Sequence, residues 1–356
     1  MLQVIELSGS PYEMGTQHGE QLKEQVRGLA RERYEIACQF ARDRGVETTR
    51  EDCLKLARVH LQLHQEQMPR CYEEWSGIAA GADCPLEDVF FANALTDFQD
   101  VLWQVAGTEI HGCTSFAVTP AGSSSATALI GQTWDMHASA QDYISLFHRR
   151  PLDGPESLTM STAGCLTLVG INAAGIAVGN NNLQPLDARP GIIYLALLHS
   201  ALQQTDWDQS RQAITGAYRA SGHNYVMAHE SGACVDIETT AQQHEEYFVE
   251  DPWYVHTNHY LAENLKGLEN PQLDRRSTEH RLEQVRRSLA TNSEPLSPDC
   301  LRAALADHEG GELGICRHGE GREARSCAFV VADPLARSLW ASLGPPCEAT
   351  LTEFSL

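Results

Sequence analysis

Gly112-Cys113-Thr114-Ser115 places a thiol directly after a glycine, at the start of a short β-like run from Cys113 to Val118. A thiolate at Cys113 can attack the carbonyl of Gly112. Glycine has no Cβ, so the approach is unhindered and an unusual backbone angle costs little. The peptide then shifts to a thioester, water hydrolyses it, and Cys113 gains a free α-amine. That amine has a reference pKa of about 7.7–8.0, suited to a general base near neutral pH. Nucleophile and base would then sit on one residue. A buried Cys at a strand start is common on packing grounds alone, so the tetrapeptide needs companions.

Three segments supply them. In Gly131-Gln132-Thr133-Trp134-Asp135, the carboxylate lies 22 residues after Cys113, which suits a hairpin returning one strand beside the other. Asp135 there can hold a protonated amine or orient the Cys113 backbone; a plain turn Asp is the alternative. In His256-Thr257-Asn258-His259, the Asn258 amide can donate to a developing oxyanion, a contact worth about 3 kcal/mol of barrier. The alternative is an Asn closing a strand at 253–257. The third segment is Gly314-Ile315-Cys316-Arg317-His318, followed by Arg322, Arg325 and Ser326. Arginine binds carboxylate or phosphate bidentately, so Arg325 is a candidate for a substrate anion, whereas Arg322 reads better as a surface ion pair. The paired histidines at 256 and 259 invite a metal. No H-E-x-x-H occurs and no Cys pair has zinc spacing, so no metal is expected.

The elements that must position these residues change character along the chain. Residues 3–8 read as a strand. A helix should follow, with Ser10 as N-cap, Pro11 at its first position and Glu13 closing a capping box. Met14, His18, Leu22, Val26, Leu29 and Ala37 recur at helical spacing. Residues 49–80 read as more helix, and Asp83 and Pro85 as another helix start, so the first 105 residues are mostly α. After Gly112 come short β-like runs at 113–118, 127–133, 157–161, 165–170, 175–180, 224–229, 233–239, 245–249, 253–257, 326–332 and 338–342. Helices interrupt at about 190–204, 207–219, 274–290 and 298–306, and 119–126 reads as an exposed hairpin loop. The expectation is one α+β domain over residues 1–356, with two antiparallel sheets stacked between helices. A cut at Gly112 would divide it into 1–112 and 113–356 without separating two folds.

Composition sets bounds. The formal net charge is -22 over 356 residues, which argues against nucleic acid and anionic membranes as partners. The same field favours cationic substrates such as amines or aminoacyl amides. The longest apolar run, Ile192–Leu198, is far short of a membrane span, and Met1–Ser10 does not read as a signal peptide. Eleven Cys without a C-x-x-C pair suggest reduced thiols and a cytoplasmic location. A serine hydrolase elbow, a P-loop and a dinucleotide fingerprint are all absent.

These segments, in this order, resemble the isopenicillin N acyltransferase family of autoproteolytic N-terminal-nucleophile hydrolases. The matching residues are Pro11-Tyr12-Glu13-Met14-Gly15, Gly112-Cys113-Thr114, Gly131-Gln132, Trp134-Asp135, the Gly170–Asn182 stretch, Val255-His256-Thr257-Asn258-His259 and Ile315-Cys316-Arg317. The resemblance spans nearly the whole chain. It implies a four-layer αββα sandwich and cleavage between Gly112 and Cys113. It also implies Cys113 as nucleophile, Asp135 as support for the new N-terminus and Asn258 in the oxyanion hole. Thr133, Trp134, Arg325 and Ser326 form the expected substrate-binding set. Ser326 matches a hydroxyl position near the pocket, Arg325 has no clean counterpart, and Thr133 stands where the penicillin enzyme has Asn. No external cofactor is implied. The expected reaction is hydrolysis of a small N-acyl amide, since one relative hydrolyses a β-alanyl amide of a catecholamine. Acyl-coenzyme A-dependent transfer is the alternative, and a non-catalytic binding protein retaining the fold is the alternative of another class. The expected partners are a small acyl amide or thioester and the chain's own two fragments.

Overall fold

The computed structural model describes residues 2–43, 45–103 and 112–356, without the side chains at 102 and 103. Strand β1 (Val4–Gly9) leads into six helices: α1 (Pro11–Gln21), α2 (Lys23–Asp43), α3 (Arg50–Gln67), α4 (Pro69–Ala82), α5 (Leu86–Asn93) and α6 (Leu95–Trp103). Next come β2 (Ser115–Val118), β3 (Leu129–His137), β4 (Ile144–Pro151), β5 (Ser157–Thr162), β6 (Val169–Asn172) and β7 (Ile176–Leu183). Helices α7 (Tyr194–Leu202) and α8 (Trp207–Thr215) precede β8 (Gly222–His229), β9 (Cys234–Thr239), β10 (His244–Phe248) and β11 (Trp253–His256). The chain continues through α9 (Glu263–Lys266), α10 (Arg276–Thr291) and α11 (Pro298–Leu305) to β12 (Ala324–Asp333), β13 (Ser338–Leu343) and β14 (Thr352–Ser355).

The capping box forms as expected: the Glu13 N–H donates to Ser10 Oγ, and the Ser10 N–H donates to Glu13 Oε2 at 2.8 Å. Helices α1 and α4 cross with their backbones in contact. Gly15 and Gly19 on one helix face Gly77 and Gly81 on the other, and a Cβ on Gly15 or Gly77 would overlap a carbonyl oxygen of the partner helix. The i, i+4 glycine spacing on both helices is the sequence cause of that close approach. The last two residues of the expected helical stretch, 104 and 105, lie outside the described residues.

The strands form an eight-stranded sheet, β1-β4-β5-β6-β7-β8-β9-β10, and a six-stranded sheet, β11-β2-β3-β12-β13-β14. Alternation along the strands sorts their side chains between two faces. In the six-stranded sheet, Ala117, Ile130, Trp134 and Val330 join Val169, Val178 and Val226 of the other sheet in one core. Phe116, Val118, Leu129, Phe329 and Val331 point the other way, onto Leu282, Val285, Leu289, Leu301 and Leu305 of α10 and α11. Helix α7 packs on β6 and β7, and α1 on β1 and β4. The layers are therefore helix, sheet, sheet, helix, an αββα architecture.

The expectation of two purely antiparallel sheets is corrected at one edge. β1 pairs with β4 in parallel, Val4 opposite Leu146 through Gly9 opposite Pro151. Six helices and two strands of the other sheet separate them, which gives the chain the long crossover that parallel pairing needs. Two strands have no counterpart in the sequence reading. In β4, Arg149 and Arg150 interrupt the apolar pattern, yet Arg149 is buried because its Nε bonds Glu74 Oε1 of α4 at 3.0 Å. The other, β14, is a short edge strand with mostly exposed side chains. Among the described residues, no helix is long and apolar enough to cross a membrane.

Candidate active site

Strand pairing brings the candidate residues together. β2 and β3 form the expected hairpin, with Ser115 opposite Gln132. The ladder continues past the end of β2: Thr133 N–H donates to the Thr114 carbonyl at 2.9 Å, and Thr114 N–H donates to Thr133 Oγ1 at 3.1 Å. The same register carried further puts Cys113 level with Trp134 and Gly112 level with Asp135. Thr133, expected to meet substrate, accepts this local bond with its hydroxyl oxygen and stands beside Asp135.

The pleat separates two functions. Cys113, only 7% exposed, belongs with Trp134 to the core between the sheets. Thr114 faces the α10 layer, where its Oγ1 accepts from Arg281 Nη1 at 3.1 Å. Gly112 faces that layer too: a Cβ built on it would lie 2.9 Å from Arg281 Nη2 and 3.2 Å from Arg317 Nη1. The peptide between Gly112 and Cys113 thus runs from two buried guanidinium groups to the inter-sheet core.

The Cys113 backbone is held on both sides. Its N–H donates to Asn258 Oδ1 at 2.9 Å. Its carbonyl accepts from Arg281 Nη1 at 2.8 Å and from Asn181 Nδ2 at 3.0 Å. Arg281 Nη2 also reaches Asn258 Oδ1, at 2.9 Å. Asn258 Nδ2 donates to the Asn182 carbonyl at 3.0 Å, and the Asn258 N–H donates to Thr278 Oγ1 of α10 at 2.7 Å. Asn258 therefore anchors the Cys113 amide through its oxygen while its nitrogen faces β7.

Asp135 is fully buried beside the hydroxyls of Thr133 and Ser326, whose hydrogen bonding opposes the effect of burial on its carboxyl. Arg317 Nε lies 3.9 Å away, beyond hydrogen-bonding reach. Burial pushes the Asp135 carboxyl above its ordinary range, and the opposing pull of Arg317 and Arg281 is insufficient to reverse it. Ser326 stands opposite Asp135 on β12, and its Oγ accepts from the Arg317 N–H at 3.1 Å. Arg317, not Arg325, is the arginine facing Asp135. The Arg325 guanidinium is turned to Gln141 Oε1, at 3.0 Å, and to Glu348 Oε2, at 3.7 Å.

Behind Asn258 lies a second charged group. His256 Nε2 donates to Glu238 Oε1 at 2.7 Å, and its Nδ1 donates to the Thr257 carbonyl at 2.7 Å. Both ring nitrogens face acceptors, and the nearby Asp236 and Glu238 carboxylates overcome burial and raise the His256 pKa. Glu238 also accepts the N–H groups of Leu261 and Ala262, so it fixes the loop that carries Asn258. Asp236, Glu238 and His256 are close enough to ligate a metal. Glu238 and His256 are already committed to each other and to backbone groups, and Asp236 Oδ1 accepts from Asn224 Nδ2 at 2.8 Å, which fits an ion pair better. His259 turns to Thr278 Oγ1, 2.9 Å away, and does not join His256.

Sequence reasoning gave no role to Arg281 or Asn181. Arg281 had a readable signal: it shares the buried face of α10 with Ser277, Leu282 and Val285, a costly place for an unpaired cation. Asn181 sat inside the Asn180-Asn181-Asn182 run without a distinguishing spacing.

Comparison with known proteins identifies the family of the chain. The profile of the family described as acyl-coenzyme A:6-aminopenicillanic acid acyl-transferase matches residues 122–347, more than half of the chain and beginning after Cys113. The 40 kDa form of acyl-coenzyme A:6-aminopenicillanic-acid-acyltransferase from Emericella nidulans is 27% identical over 361 aligned positions, covering 96% of this chain and 92% of that protein. Among solved structures, penicillin V acylase from Agrobacterium tumefaciens aligns with a TM-score of 0.46 at 12% identity, covering 68% of this chain and 86% of that one. A variant of conjugated bile acid hydrolase from Clostridium perfringens aligns at 0.45 and 10% identity, covering 68% and 97%. The chain belongs to the acyl-coenzyme A:6-aminopenicillanic acid acyl-transferase family.

Proposed function

We propose that this chain is a self-cleaving cysteine amidohydrolase that acts on a small N-acyl amide through an acyl-Cys113 intermediate. The observation that carries the reading is the clamp on Cys113. Its amide is held by Asn258, its carbonyl by Arg281 and Asn181, and the buried Asp135 carboxyl lies level with Gly112.

In the precursor, Cys113 Sγ attacks the Gly112 carbonyl carbon. The C–N bond breaks as the nitrogen takes a proton, and the resulting thioester is hydrolysed. The products are a Gly112 carboxylate and a Cys113 α-amine. Asn258 Oδ1 already accepts from that nitrogen, and Asp135 supplies the counter-charge when the amine is protonated. In turnover the neutral α-amine takes the thiol proton, and the thiolate attacks the substrate carbonyl. A second N–H on Asn258 Nδ2 and a backbone N–H stabilise the oxyanion. The leaving amine departs with a proton, and water releases the acid from Cys113. No cofactor takes part.

Cleavage would leave residues 1–112 and 113–356 as a heterodimer within one folding unit. β1 of the first segment pairs along β4 of the second, and Glu74 and Arg149 join them through a buried ion pair. Among the described residues no disulfide is formed, and the spacing of the cysteines favours a reduced, cytoplasmic setting. The similarity to the Emericella acyltransferase favours a second reading, transfer of the acyl group to an amine instead of water. The test is intact mass under denaturing, reducing conditions, followed by a panel of N-acyl amides and acyl-coenzyme A donors. The expected result is two fragments meeting at Gly112 and Cys113, with one uncut chain of 39.2 kDa for Cys113→Ala. Normal processing of Cys113→Ala would remove Cys113 from self-cleavage. Coenzyme A release that depends on an amine acceptor would replace hydrolysis by transfer.

A further inference from the structure

We propose that His308, Cys316, His318 and Cys347 form a structural zinc site on the outer side of the six-stranded sheet. The four donors come from three segments: the loop after α11, the strap running into β12, and the turn after β13. Their ligand atoms all lie within 4.8 Å of one another. His308 Nε2 and His318 Nε2 are 3.1 Å apart, and Cys316 Sγ and Cys347 Sγ are 3.5 Å apart. Each sulfur approaches His318 Nε2, Cys316 at 3.6 Å and Cys347 at 3.3 Å.

Those distances are the edges of a tetrahedron around one ion. With Zn–S near 2.3 Å and Zn–N near 2.0–2.1 Å, tetrahedral geometry needs about 3.3 Å between nitrogens, about 3.6 Å from nitrogen to sulfur and about 3.8 Å between sulfurs. Every measured edge falls within a few tenths of an ångström of its requirement. A disulfide does not fit, since its sulfurs would be about 2.05 Å apart. Outside the donor set, Glu348 Oε1 faces His318 Nδ1 at 3.3 Å. A carboxylate on the second nitrogen of a ligating histidine fixes its tautomer and raises its basicity.

Four protein donors close the coordination sphere, which is the structural class and leaves no position for a reacting water. Two of the ligands flank Arg317, so the ion would clamp the strap whose guanidinium faces Asp135. The expectation of no metal rested on motifs. Cys316 and His318 are one residue apart, His308 precedes them and Cys347 follows much later, so no local spacing announces the set.

The test is elemental analysis of the full chain purified under reducing conditions without chelator, together with cobalt titration of the chelator-stripped protein. The expected result is about one zinc per chain, and tetrahedral cobalt bands with sulfur-to-cobalt charge transfer. Cys316→Ser combined with Cys347→Ser should lose both the zinc and the charge-transfer bands. If that variant fails to fold, alkylation mapping of the wild-type chain decides: zinc should protect Cys316 and Cys347, and chelator should expose them, while Cys38 and Cys300 react equally in both states. A reduced wild-type chain without zinc or cobalt uptake overturns the proposal. So does a Cys316–Cys347 disulfide in the freshly purified protein, or equal alkylation of those two thiols with and without metal.

Discussion

Replacing Arg281 by Met should nearly stop maturation, because that guanidinium holds both ends of the reacting unit. It donates to the Cys113 carbonyl at 2.8 Å and to Asn258 Oδ1 at 2.9 Å, and it is fully buried. Hydrogen bonds from a charged donor contribute about 1.5–3 kcal/mol each. Losing two at the low end costs about 3 kcal/mol of positioning, or about 150-fold in the cleavage rate at 1.36 kcal/mol per decade. Arg281→Lys keeps the charge but offers one compact donor in place of a fork. It should retain one of the two contacts and slow cleavage about tenfold. The assay is time-resolved intact mass of freshly translated chain, following the 113–356 fragment, with Cys113→Ala as the zero. Near-ultraviolet circular dichroism checks that each variant keeps its packing. Cleavage of a well-packed Arg281→Met within about threefold of wild type would refute the claim that this clamp positions the scissile peptide.

Asn258→Asp keeps the oxygen that holds the Cys113 nitrogen and removes the amide donor, so maturation should persist while turnover falls about 100-fold or more; equal turnover by mature variant and wild type would remove the oxyanion role. Burial pushes the Asp236 carboxyl from 3.8 up to about 6. A raised carboxyl contributes stability that is present below its unfolded pKa and lost as pH rises through the folded one. Asp236→Asn should therefore abolish a fall of up to about 3 kcal/mol between about pH 4 and pH 6 in urea titrations, and an unchanged pH profile would discount the carboxyl. Arg317→Met should lower the melting temperature of the matured protein more than that of the uncut Cys113→Ala precursor. An equal or smaller loss in the matured protein would contradict the charge argument developed below.

The layers were legible because strands and helices here carry their patterns locally. The runs at 157–161, 233–239 and 338–342 became β5, β9 and β13 with shifts of at most a residue at either end. β4 was not legible, since Arg149 belongs to a strand only through Glu74, a partner 75 residues earlier. Gly112, Cys113, Asp135 and Asn258 stand out as candidates by residue type and order, and the fold brings them together. Arg281 and Asn181 do not stand out, because their roles depend on a helix and a sheet meeting at Cys113 from opposite sides. The thiol–imidazole cluster was invisible for the same reason: Cys347 reaches Cys316 only after β12 and β13 fold back on each other.

The charges around the junction make sense only when the products of cleavage are considered. Among the described residues of the uncut chain, two buried guanidinium groups, Arg281 and Arg317, flank a neutral peptide, and the buried Asp135 carboxyl has its pKa pushed upward. A carboxylate formed beside those two groups would gain charge-assisted hydrogen bonds that a neutral peptide carbonyl does not. Cleavage would create a carboxylate on Gly112, beside both guanidinium groups. It would also create an amine on Cys113, beside the Asn258 oxygen and near the Asp135 carboxyl. Each new charge would arise near an opposite one, and a protonated amine would pull the Asp135 pKa back down. The guanidinium groups that flank the intact peptide would thus hold the mature Gly112 terminus. This is why Arg317→Met should cost the matured protein more than the uncut precursor.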